Sequence, residues 1–171
     1  MRTNAAHLAL VLALCGSLAQ AQWLERDPDW KEAAPPPPPA VRTTGLIPIE
    51  MRSSVLRWGV DPASISLGAD GVVRYVVVAR SDSGTVSALY EGLRCNTAES
   101  TVYARSSGDQ WSPVADREWK PIQGSGNGAR LHTLTIARTG ACMGHGPNQS
   151  ADRIARDLAA PVDTRFRSEM R

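Results

Sequence analysis

The chain has 171 residues, and its 19 basic and 17 acidic side chains leave a formal net charge of only +2. A balance this even, with no block of like charge, excludes a nucleic-acid-binding surface or a polybasic membrane patch. Arginine carries nearly all of the positive charge, Lys31 and Lys120 being the only lysines.

The N-terminus has the order of a secretory signal peptide: Arg2 in "MRTNAAH", the apolar run "LALVLALCGSL", then small residues at Ala19 and Ala21. Residues 1–21 are therefore expected to be removed before Gln22, sending the protein to the periplasm or outside the cell. The run is too short to span a bilayer, which needs about 20 residues. Leu14 is too large to precede a lipidated cysteine, so Cys15 reads as part of the discarded peptide. Cleavage at Gln22 leaves 150 of the 171 residues, enough for one domain with a modest core.

Residues 22–42 read as a proline-rich linker or tail. Pro35 to Pro39 are five consecutive prolines, which lack N–H donors and favour an extended polyproline helix. Trp23 and Trp30 are unusual in such a segment, and docking back on the domain or recognition of a partner would each explain them. Residues 43–171 read as a single globular domain. Ala69-Asp70-Gly71 separates two β-branched runs, which predicts a hairpin. Val72 to Ala79 is nearly continuous in valine and tyrosine, as in a central strand covered on both faces. After the turn at 81–84 comes "TVSALYEGLRC", with Gly92 expected as a bulge or a point of close approach. "STVYARS" and "QWSPVAD" follow across a turn at 107–109. This spacing predicts an α+β, mainly antiparallel fold: a meander of four or five strands with one or two short C-terminal helices. "RLHTLTIAR" fits a helix or a strand. "NQSADRIARDLA" is the clearer helix, with Ser150 as its cap and Ile154 and Leu158 an i, i+4 apolar pair.

Two cysteines, Cys95 and Cys142, survive cleavage, and an even pair in an exported chain reads first as a disulfide. Closing a loop of about 50 residues contributes roughly 4 kcal/mol in the chain-entropy model.

The stretches "DPASISLGADGVVRYVVVARSDSG", "YEGLRCNTAESTVYA", "GDQW" with "EWKPI", and a second cysteine followed by "SADRIARDL" resemble the CNP-one-like (CNP1-like) family of exported Gram-negative bacterial proteins. The resemblance covers about residues 58–160. It implies a small periplasmic domain and supplies no catalytic residues to carry over.

Three chemistries compete for the remaining residues. A metal or thiol site would use Cys142 and His145, with Cys95 and His132 completing four ligands, but no CxxC or HExxH spacing accompanies them. A hydrolase acting on envelope polymers would pair carboxylates among Glu91, Glu99 and Asp109. Ser125 lies between glycines without the strand and helix of a nucleophile elbow, so a loop explains it better. A ligand surface would use Tyr75, Tyr90, Tyr103 and Trp111, on successive predicted strands, beside Arg94, Arg74 or Arg105. The same rings equally suit a core that has a single phenylalanine. The leading expectation is a non-catalytic binding or structural module of the cell envelope. It takes no cofactor and has no transmembrane span, and its partner is an envelope protein or glycan. The sequence leaves the oligomeric state open.

Overall fold

The computed structural model describes residues 27–51, 54–108, 110–122 and 130–161. Residues 1–21 with Cys15, and also Gln22, Trp23, Asp109 and the loop around Ser125, lie outside them.

The architecture is an antiparallel sheet with two short helices at its C-terminal side. Ten strands form among the described residues, more than the four or five expected. They are β1 (Ile47–Ile49), β2 (Arg57–Val60), β3 (Ser66–Leu67), β4 (Val72–Arg80), β5 (Val86–Arg94), β6 (Glu99–Ser107), β7 (Trp111–Pro113), β8 (Lys120–Pro121), β9 (Cys142–Met143) and β10 (Gly146–Pro147). The main sheet runs β1-β2-β4-β5-β6-β7, with β3 added against β4 and β8 against β6. Much of the excess comes from two- and three-residue pieces that carry too little pattern to be recognised before pairing.

β4, β5 and β6 are nine residues each and form the centre of the sheet. β4 is buried from Val72 through Ala79. Its odd positions Val73, Tyr75 and Val77 enter one core with Val60, Leu93, Ile136, Ile154 and Leu158. Its even positions Val76 and Val78 enter a second core with Ala88, Tyr90, Tyr103 and Ala104. Both faces of the strand are thus covered, the pattern that a continuous β-branched run implies.

The helices cover the first face. "RLHTLTIAR" becomes α1 (Leu131–Ile136), running into a π-helical turn, Ala137–Ala141. α2 (Ala151–Ala159) starts where Ser150 Oγ accepts from Arg153 N at 3.2 Å and buries Ile154 and Leu158. Asn148, just ahead of this cap, is itself buried. Its amide donates to Gly140 O at 2.8 Å and to Asp157 Oδ2 at 2.9 Å, tying the π turn to α2.

The proline-rich segment covers the second face. Residues 32, 35, 38 and 41 are half-buried while the two residues between each pair are exposed. That is the three-residue period of a polyproline helix lying with one edge on the sheet. Val41 and Leu46 continue it into the second core.

Cys95, just past β5, and Cys142, at the start of β9, form a disulfide with Cα atoms 5.6 Å apart and a sequence separation of 47. It pins the C-terminal helical layer to the sheet. Cys95→Ser and Cys142→Ser should each cost about 4 kcal/mol in urea unfolding. The double variant should cost no more than either single one, because both remove the same bond.

Candidate functional site

The two faces of the sheet carry two different polar clusters. On the helix face, Glu91 of β5 is buried, and both its oxygens are engaged. Oε2 accepts from Tyr75 Oη at 3.0 Å and from Thr133 Oγ1 at 3.2 Å, and Oε1 pairs with His132 Nε2 at 2.9 Å. His132 stacks on Trp58 with ring centroids 4.4 Å apart and planes 6° from parallel. Burial, then the neighbouring Glu91 carboxylate, pushes the Tyr75 hydroxyl well above its ordinary pKa. This cluster joins β4, β5 and α1, and every member lies within the core. It works as a polar clasp between layers.

On the opposite face, register aligns Arg74, Gly92 and Thr101 side by side across β4, β5 and β6. Between Tyr90 and Glu91 the pairing with β6 shifts, so Tyr103 is an extra residue bulged towards this face. A Cβ on Gly92 would lie 2.8 Å from the Tyr103 ring. The glycine therefore makes the space that the phenol fills, which is the close approach its place in the strand predicts.

The seat of the N-terminal segment is built around this row. Arg74 Nη2 donates to Asp70 Oδ2 at 2.6 Å and to Ala33 O at 3.1 Å, while Ala33 N donates back to Asp70 Oδ2 at 2.9 Å. Trp30 Nε1 donates to Asp70 O at 3.0 Å, and the Arg94 guanidinium lies 3.5 Å from the centre of the Trp30 ring. The Glu32 carboxylate accepts from Trp119 Nε1 at 3.2 Å and pairs with Arg117 at 3.4 Å and Arg74 at 3.9 Å. Further along, Trp111 Nε1 donates to Pro39 O at 2.7 Å. An indole N–H aimed at a proline carbonyl, with aromatic walls on either side, is how grooves recognise polyproline helices. Burial, and next the adjoining Glu32 carboxylate, raises the Tyr103 hydroxyl far above its usual pKa, with Arg74 opposing.

The four candidate rings divide between the faces. Tyr75 enters the helix-side clasp. Tyr90 and Tyr103 lie 5.2 Å apart on the segment-covered face, with Trp111 at its edge. Arg94 and Arg74 join them there, whereas Arg105 is exposed opposite Leu89. Glu91 and Glu99 leave opposite faces of β5 and β6, and Glu99 is held by Arg94 at 3.3 Å and Thr97 at 2.9 Å. They do not share a face of the sheet, and Asp109, the third carboxylate of that expectation, lies outside the described residues. The Cys142–His145 metal expectation is also corrected, because the disulfide occupies both sulfurs and Glu91 holds His132. His145 is exposed on the β9–β10 turn. Among the described residues no three His, Cys, Asp or Glu side chains group as a metal site, and no helix is long and apolar enough to cross a membrane.

Sequence reasoning missed Glu32, Asp70, Arg117 and Trp119 as members of one site. The signal was present in part: Arg74 interrupts an otherwise apolar buried strand and so requires a carboxylate. Nothing in the spacing says that Glu32 would help supply it.

The chain belongs to the CNP1-like family, whose model matches residues 25–159. The match begins inside the N-terminal segment and so includes the seated prolines. No curated protein and no solved structure matches the chain.

Glu91→Ala should destabilise the protein by about 3–5 kcal/mol in urea unfolding, since it strands Tyr75, Thr133 and His132 in the core. Asp70 gives a pH dependence. Burial alone would raise its pKa, but the Arg74 hydrogen bond and the Ala33 and Val72 N–H groups hold it below the ordinary 3.8. Its ionisation therefore stabilises the fold fully above the unfolded value, and that stability is lost as pH falls through the depressed folded value. Asp70→Asn should lower unfolding stability at pH 7, and the gap to wild type should shrink steadily below about pH 4.

Proposed function

We propose that the protein is an exported, non-catalytic binding module of the cell envelope, freed of residues 1–21 ahead of Gln22 and stapled by Cys95–Cys142. Its binding face is the Trp111–Trp119–Arg74 face of the sheet, and its ligand is an extended, proline-rich segment carrying an acidic residue. The observation that carries this reading is the pair of indole donors on the seated segment, Trp119 to the Glu32 carboxylate and Trp111 to the Pro39 carbonyl. A groove that places two N–H donors on an extended chain, a carboxylate and a carbonyl seven residues apart, has the chemistry of peptide recognition rather than of bond cleavage. In this chain residues 30–41 occupy the groove, so the domain both displays and reads a polyproline helix.

A labelled peptide of residues 27–43 tests this. It is titrated into the chain from Gln22 bearing Trp30→Ala and Glu32→Ala, which loosen the resident segment. Saturable 1:1 binding is expected, weakened roughly tenfold or more by adding Trp111→Ala and Trp119→Ala. Absence of saturation by a protein that still unfolds cooperatively, or binding indifferent to the two tryptophans, refutes the reading.

A further inference from the structure

We propose that the same groove takes residues 30–41 from a second copy of this chain, so that two copies exchange their proline-rich segments and form a closed dimer. This rests on the peptide-groove reading above and names the groove's partner.

Three observations carry it. First, the ligand whose chemistry fits the groove is this chain's own segment. Trp30, Ala33, Glu32 and Pro39 each meet a dedicated group, and an identical segment from another copy would meet the same ones. Second, the charges are complementary. Glu32 of the segment pairs with Arg117 at 3.4 Å and Arg74 at 3.9 Å, cations of the face, while Lys31 beside it stays exposed. Third, the connection to β1 is a hinge. Residues 42–45 are exposed, and Gly45 has φ +68, a conformation that a side chain would resist. Two contacts hold this connection to the domain, Arg42 to Asp61 at 3.4 Å and Arg80 to Thr43 O at 3.3 Å.

Within one chain, the short connection gives the segment a high effective concentration at its own groove, so the closed monomer dominates in dilute solution. Exchange takes over where the hinge prevents closure or where copies are crowded, as in other segment-swapped proteins. Each groove is then filled by the partner copy, and the pair is closed and symmetric.

The test shortens the hinge. Deleting Thr43 and Thr44 from the chain beginning at Gln22 removes the slack for seating within one chain and leaves groove and segment intact. Sedimentation should show a dimer, and adding Trp111→Ala should raise its dissociation constant roughly tenfold or more. A shortened chain that stays monomeric overturns the proposal. So does a dimer unaffected by Trp111→Ala, which would use another surface. Should the shortened chain not fold, wild-type protein labelled with heavy nitrogen is mixed with unlabelled protein at about millimolar concentration and diluted into native mass spectrometry. Mixed dimers support exchange, and monomers alone refute it. If the peptide of residues 27–43 binds but no dimer forms, exchange fails while the groove reading stands.

Discussion

Arg74 sits in the middle of a strand with no exposed face, and its guanidinium must be met inside the protein. Burying an arginine without a carboxylate is prohibitive, and a single partner leaves several of its five N–H donors unmet. Asp70, four residues earlier at the hairpin turn, supplies the charge. Ala33 supplies a carbonyl, and Glu32 approaches from the same segment. The proline-rich segment is therefore part of the coordination of a buried charge, and that need explains why a run of prolines lies on the sheet.

The two faces solve the same problem in different ways. The helix face meets Glu91 with three side chains from neighbouring elements, and the clasp closes within the core. The other face uses backbone and side-chain groups of a separate, extended segment. Prolines suit this role because the segment arrives already extended, with little conformational freedom left to lose. They also donate no N–H groups, so Pro35–Pro39 themselves ask the sheet only for donors, and Trp111 provides one to the Pro39 carbonyl.

Much of the fold was legible in the sequence. Val72–Ala79 announced a strand buried on both sides, Asp70-Gly71 announced its hairpin, and Ser150 with Ile154 and Leu158 announced the last helix. The cysteine pair announced the staple. Short strands such as β8 and β10 were not legible, because two residues carry no period and form only once a neighbour exists. The site was less legible still. Tyr75 was grouped with Tyr90 and Tyr103 because all three recur on successive strands, yet the β4–β5 register sends Tyr75 to the helix side. Glu91 and Glu99 looked like neighbours in sequence, but register places them on opposite faces. Glu32 and Arg117 meet 85 residues apart in sequence, a contact that no local pattern encodes.

The seating of the proline-rich segment on Arg74 and Asp70 is the point on which the fold, the groove and its exchange all depend. The backbone amide of Ala33, bonded to Asp70 Oδ2, reports it directly in a hydrogen-exchange experiment followed by NMR. Seating predicts that this amide exchanges at least about tenfold more slowly in the intact chain than in a free peptide of residues 27–43. An amide that exchanges equally fast in both would mean that the segment is not held on the sheet, and would contradict the account at its root.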